Sequence, residues 1–335
     1  MNASAPLPVS ATDVTAAAAR LQGHAVRTPL IDNAQLNEIA GGRVLLKIET
    51  LQHTGSFKFR GAYNRLVQLD PAQRRAGVVA WSSGNHAQGV AYAGRLLGIA
   101  TTIVMPADAP AIKIVNTKRL GGEVVLYDRY TQVREEIGRQ IAVERDCVVV
   151  PAYDDPDIIA GQGTVGLEMV QQAEARGLAI DQALFCCSGG GLVSGSALAL
   201  KGHRAATAVY TVEPAGFDDH ARSLASGQPE RNVQGARSIC DALQAPTPGE
   251  ITFPINRALL TGGLVVTDDE VREAMRFAFN VLKLVVEPGG AVALAAVLQR
   301  RVNTIGLVTA LPLSGGNVDP AQFADFLSPS RGSHG

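Results

Sequence analysis

Val78-Val-Ala-Trp-Ser-Ser-Gly-Asn-His-Ala-Gln-Gly-Val-Ala-Tyr-Ala-Gly-Arg-Leu-Leu97 changes its pattern midway. Val78–Trp81 is an unbroken apolar run and reads as a strand. His86–Leu97 repeats its apolar residues at helical spacing, and small polar residues fill the junction. The unit recurs downstream. Thr101–Met105 and Glu123–Tyr127 read as strands, each followed by a helix, and Cys147–Val150 as another strand. Strands that alternate with helices predict parallel sheets and the α/β class. The block 77–151 is large enough for a small open-sheet domain.

A second series follows. It reads as a helix at Gly163–Arg176, a strand at Ala183–Cys187, a helix at Leu192–Leu200 and a strand at Ala208–Val212. A loop-rich stretch from Gly227 to Gly263 is punctuated by Pro229, Pro246, Pro248 and Pro254. Thr267-Asp-Asp-Glu270 has the form of a capping box opening a helix to Leu284, and Thr304–Leu311 reads as a last strand. RTPLIDN (27–33) and VLLKIE (44–49) are assigned to the second sheet, which makes the small domain an insertion. The expected division is a large domain of 1–76 and 152–325, a small domain of 77–151, and a flexible tail of 326–335.

The bulk properties exclude several classes. With 335 residues, 46% hydrophobic and 18% charged, the chain has length for a large buried core. A net charge of -1 gives no electrostatic case for nucleic acid or an anionic membrane. Apolar stretches break within about a dozen residues, too short to span a bilayer, and the N-terminus lacks the form of a secretory signal. Cys147, Cys186, Cys187 and Cys240 show no CxxC pair and no zinc spacing. The first three sit in apolar strand-like runs, so buried thiols and a cytoplasmic setting are expected.

Four segments place small or polar residues where a strand meets a helix, the usual ligand position in open α/β sheets. In Thr54-Gly-Ser-Phe-Lys-Phe-Arg-Gly61, Lys58 stands between phenylalanines. Desolvation there would lower its pKa and suit Schiff-base chemistry, though a helix-surface lysine has the same spacing. Ser82-Ser-Gly-Asn-His86 opens a helix whose free amides suit a carboxylate or phosphate; His86 itself reads as a packing or capping residue. Ser188-Gly-Gly-Gly-Leu192 has the form of a phosphate cradle, or of a tight turn. It matches neither the dinucleotide fingerprint nor the P-loop. Leu313-Ser-Gly-Gly-Asn317 would offer Ser314 as a neutral hydrogen-bonding group.

TGSFKFRGA (54–62), SSGNHAQG (82–89), IAGQGT (159–164), SGGGL (188–192) and PLSGGN (312–317) occur in an order and spacing that resemble the fold-type II pyridoxal-5′-phosphate (PLP) enzymes. The similar branch contains threonine/serine dehydratases, serine racemase and 3-hydroxyaspartate dehydratase. The likeness runs from about Arg27 to Asp319. It implies a PLP-dependent dehydratase acting on a small hydroxy-amino acid, built as a homodimer. By that resemblance Lys58 would hold the cofactor and later take the Cα proton. Ser188, Gly189, Gly190, Gly191 and Leu192 would hold its phosphate, Asn85 its 3′-oxygen, and Ser314 would face its pyridine nitrogen. Ser82, Ser83 and Asn85 would bind the substrate carboxylate, with Ser83 opposite Lys58. Many relatives begin the phosphate loop with glycine where this chain has Ser188, and its hydroxyl could replace one backbone donor.

Glu213 ends a strand and Asp219 follows six residues later in the first turn of a helix. On spacing alone they are a strand-end and a helix-start carboxylate. The resemblance implies that they bind Mg²⁺ or Ca²⁺ together with the Phe217 carbonyl, and oxygen ligands suit such hard cations. Alternatives stay open. Lys58 and Ser83 on opposite faces of Cα would also serve a racemase, and Arg134 would bind the second carboxylate of β-hydroxyaspartate. A non-catalytic phosphate-binding sensor belongs to a different class, and Lys58 with its supporting set argues against it.

Overall fold

The structure is a computed structural model that describes residues 7–109 and 111–328. It contains ten strands: β1 (Leu30–Ile31), β2 (Arg43–Ile48), β3 (Val78–Trp81), β4 (Thr101–Pro106), β5 (Gly122–Tyr127), β6 (Val148–Val149), β7 (Gln182–Cys186), β8 (Ala208–Pro214), β9 (Gly262–Val266) and β10 (Val308–Leu313). They form two sheets. The larger runs β1-β2-β10-β7-β8-β9 and the smaller β5-β4-β3-β6. Among the described residues β1 pairs antiparallel with β2, and the other strand-to-strand pairings are parallel. A parallel sheet is covered by helices on both faces, which is why its strands read as unbroken apolar runs. Val44, Leu45 and Leu46 of β2, Ala183 to Phe185 of β7 and Ala310 and Leu311 of β10 are buried accordingly.

Two long helices join the sheets. Pro156–Glu174 packs along Gly191–His203 and also against Lys58–Val67. The approach is close because the contact is made of glycines. A β-carbon at Gly163 would meet the carbonyl oxygen of Gly195 at 2.6 Å. The expected helix at Gly163–Arg176 therefore begins seven residues earlier, capped by Asp155 with Pro156 in its first turn. Glycine's poor helix propensity is overridden there by packing.

Other element boundaries differ from the expected ones. The loop-rich stretch contains a helix at Thr252–Leu259 and runs into β9, neither of which the sequence signalled. Pro288–Leu298 is a further helix, buried along nearly its whole length. Thr267 does form its capping box, but the α-helix ends at Phe277 and a π-helical turn covers Ala278–Leu282. The last strand is 308–313, not 304–311, and the strand after Cys147 keeps only two residues. A helix at Pro320–Leu327 takes in the first two residues of the expected tail; residues 329–335 lie outside the described residues. Among the described residues no helix is long and apolar enough to cross a membrane.

Candidate active site

Parallel order brings the carboxyl ends of β10, β7 and β8 side by side, and the expected residues sit on the loops that leave them. Ser314 follows β10 and Ser188 follows β7. The backbone N–H of Phe57 donates to Ser314 O at 3.1 Å, and Ser56 bridges Gly315, so the Lys58 segment is pinned beside the end of β10. The Asn85 helix comes from the smaller sheet. Asn317 Nδ2 donates to Asn85 Oδ1 at 2.8 Å and to Thr54 O at 2.7 Å, which ties the three loops together.

Lys58 is the first residue of its helix, and its Nζ donates to Ala152 O at 2.7 Å. Burial pushes its amine down to about 8, as a nucleophilic lysine requires. The neutral amine reacts, so capture of PLP by the apo-protein should quicken as pH rises through about 8 and then level off, followed by the growth of visible absorbance. A rate unchanged across that range contradicts a desolvated lysine. His86 takes the packing role expected of it. It is buried, its Nε2 lies 2.9 Å from Val150 O, and burial with Lys58 nearby pushes it down to about 3, so it stays neutral.

The glycine loop has the shape of a cradle. Gly190 has φ +99°, and a β-carbon there would meet His220 Nε2 and Asn256 Nδ2 at 2.8 Å. A β-carbon at Gly189 would run into the ring of Tyr153. Only glycines keep this turn open to an anion at the start of the Gly191–His203 helix, where unpaired backbone N–H groups face outward. With a desolvated lysine close by, the residues fit a phosphorylated aldehyde. The Oγ of Ser188 accepts the N–H of Ala245 at 3.1 Å, which anchors the following loop and leaves the hydroxyl proton free to donate. Ser314 is buried, and its Oγ accepts from Cys186 Sγ at 3.2 Å.

Sequence reasoning missed Glu287. Its carboxylate accepts from Asn85 Nδ2 at 2.6 Å, and burial pushes its pKa up to about 8. The available signal was one carboxylate just before Pro288 inside a long apolar run. It holds the amide of Asn85 in place and is a positioning residue.

Glu213 and Asp219 converge as expected, β8 lying next to β7. Glu213 accepts the N–H groups of His220 (3.0 Å) and Ala221 (2.7 Å). Burial, with Asp219 adding to it, raises its carboxyl well above the usual range. Asp219 Oδ1 accepts from Asn232 at 2.6 Å, while its buried Oδ2 has no partner. Phe217 lies in the turn between them and is buried. Arg134 opens the helix Arg134–Arg145, where its half-exposed guanidinium pairs with Glu135 at 2.8 Å.

A cradle for phosphate beside a half-buried lysine, at the carboxyl ends of parallel strands, defines a PLP-binding enzyme. The chain belongs to the pyridoxal-phosphate dependent enzyme family, whose model matches residues 21–307. It is 44% identical to an L-threo-3-hydroxyaspartate ammonia-lyase of Pseudomonas sp, over 94% of this chain and 97% of that one. It is 38% identical to a serine racemase of Schizosaccharomyces pombe, over 94% and 96%. Among solved structures it is similar to a threonine deaminase from T.th., with a TM-score of 0.86 and 42% identity, covering 94% of this chain and 99% of that one.

Proposed function

We propose that this enzyme removes the β-hydroxyl of a small hydroxy-amino acid of the threonine/serine type, giving a 2-oxo acid and ammonia. The observation that carries the reading is Ser314, a buried neutral hydroxyl whose neighbour is a thiol. When bound, PLP supplies an electron sink for the electrons left at Cα, and the group facing its ring nitrogen sets the strength of that sink. A hydroxyl delivers no proton as a carboxylic acid would. Departure of the β-hydroxyl with, or just after, the Cα proton is therefore favoured over transamination. Lys58 Nζ takes that proton. Ser82, Ser83 and Asn85 hold the substrate carboxylate, while Ser188, Gly189, Gly190, Gly191 and Leu192 hold the phosphate. The released enamine hydrolyses to the 2-oxo acid and ammonia. In this reading 77–151 forms the substrate-carboxylate domain, and the remainder up to 325 carries Lys58 and the phosphate loop.

A second substrate reading, β-hydroxyaspartate, is favoured by Arg134. The charge of Arg134 acts on Tyr153, whose ring lies against the glycines of the phosphate loop. The name of the Pseudomonas relative points the same way. Arg134→Ala should lower kcat/KM for β-hydroxyaspartate and leave that for L-threonine nearly unchanged. Because the side chain is half exposed and already paired, the loss should be about 1 kcal/mol, roughly fivefold. Equal effects on both substrates would return Arg134 to an ordinary helix-surface cation. Racemisation would need Ser83 as an acid on the face opposite Lys58.

The same reading includes a divalent cation, Mg²⁺ or Ca²⁺, on Glu213, Asp219 and the Phe217 carbonyl. Its support is the unpartnered, buried Asp219 Oδ2 beside a second buried carboxylate.

A further inference from the structure

The glycine loop has a back as well as a face. Behind it stands the helix Thr252–Leu259, whose first residue, Thr252, and Asn256 one turn on lie on the same side. Both are fully buried, as is Ser194 in the helix that follows the loop. Thr252 Oγ1 donates to Gly189 O at 2.6 Å. The Ser194 N–H donates to Gly190 O at 2.9 Å, and Ser194 Oγ donates to Asn256 Oδ1 at 2.7 Å. A β-carbon on Gly190 would meet Asn256 Nδ2 at 2.8 Å and Thr252 Oγ1 at 2.9 Å. The helix is itself held. Asp154 accepts the N–H groups of Glu250, Ile251 and Thr252 at 2.9, 2.9 and 3.2 Å. Two residues before Asp154, the Ala152 carbonyl accepts from Lys58. One short segment therefore fixes both the lysine and the wall behind the loop.

A trans peptide plane points its C=O and its N–H in opposite directions. With Gly189 O drawn back onto Thr252, the N–H of Gly190 points away from that helix. With Gly190 O drawn onto Ser194, the N–H of Gly191 points out of the start of its own helix. These are the donors that an anion at this helix start uses. Gly190, at φ +99°, has no side chain to hold such a turn, so the direction of its peptide planes is imposed from outside the loop.

We propose that Thr252 and Asn256 are positioning residues for the cofactor phosphate, holding the glycine carbonyls back so that the N–H groups of the loop converge on the anion. Thr252 acts directly on Gly189. Asn256 acts through Ser194 and by filling the space under Gly190. The inference rests on the reading that residues 188–192 hold the phosphate.

The test compares two aldehydes that differ only in the phosphate. The cofactor-free chain is titrated with PLP and with pyridoxal, and the bound aldehyde is followed by its absorbance. Thr252→Val should weaken PLP binding about tenfold, the scale of one buried hydrogen bond, and leave pyridoxal binding unchanged. Thr252→Ser keeps the hydroxyl and should behave as the wild type. Asn256→Leu should also lower the affinity for PLP alone; if that variant does not fold, the two Thr252 variants still decide. A general loosening of the site would instead weaken both aldehydes by the same factor. Equal losses for PLP and pyridoxal in Thr252→Val, or no loss for either, would overturn the proposal. A wild type that takes pyridoxal as tightly as PLP would overturn the phosphate-loop reading first, and this inference with it.

Discussion

Lys58→Ala should abolish the visible cofactor absorbance and lower elimination by several orders of magnitude. Both effects come from one nitrogen. The Lys58 amine is held at the start of its helix against the Ala152 carbonyl, and burial pushes it down to about 8. On the proposed roles, alanine removes the group that would anchor the cofactor together with the base that would take the Cα proton. Added amines should restore little, because nothing would position them where the half-buried Lys58 amine sits. Near-normal turnover with an unchanged spectrum would refute the assignment of Lys58.

Arg60→Met should cost about 3–5 kcal/mol of folding stability, the range for removing one partner from a buried ionic cluster. Arg60, two residues from Lys58, is fully buried. Its Nε and Nη2 donate to the two oxygens of Glu49 at 2.8 Å, and Nη1 donates to Glu168 at 2.7 Å. Lys47 completes the set, donating to Glu168 at 2.6 Å and to the Thr28 carbonyl at 2.6 Å. Two cations and two carboxylates balance, and methionine would leave the buried Glu49 without a counter-charge. The urea midpoint of the variant is the measurement. A shift of less than about 1 kcal/mol, the scale of a surface pair, would contradict this account.

The parts of the fold that were legible are those where one local signal decides. Apolar runs such as Val78–Trp81 and Ala183–Cys186 cannot face water, so they announce a sheet buried on both faces. The polar residues after them mark the site, because ligands gather at strand ends. What was not legible depended on partners far away in sequence. Pro288–Leu298 is buried nearly all round, so it carries no amphipathic period to betray a helix. The start at Pro156 was hidden by Gly161 and Gly163, helix breakers in isolation that serve here as close contacts to Gly61 and Gly195. β9 begins with two glycines and follows a proline-rich loop, so it lacked both strand propensity and clear bounds. The places of Ser188 and Ser314 at strand ends were legible, but the bond that Ser188 accepts from Ala245 was not. Glu287 reaches Asn85 across 202 residues of sequence, and no local pattern reports such a pairing. Arg60 was visible as part of a motif, yet its structural role appears only once Glu49 and Glu168 are seen around it.

The central claim is elimination, and one assay tests it most directly: the wild-type holoenzyme with L-threonine, L-serine and the β-hydroxyaspartate isomers, measuring 2-oxo acid and ammonia together. At least one of these substrates is expected to yield both products in equal amounts, faster than its Cα epimer appears. Conversion of an L-substrate to its D-isomer without 2-oxo acid, or no turnover of any of them by the cofactor-loaded enzyme, would contradict it.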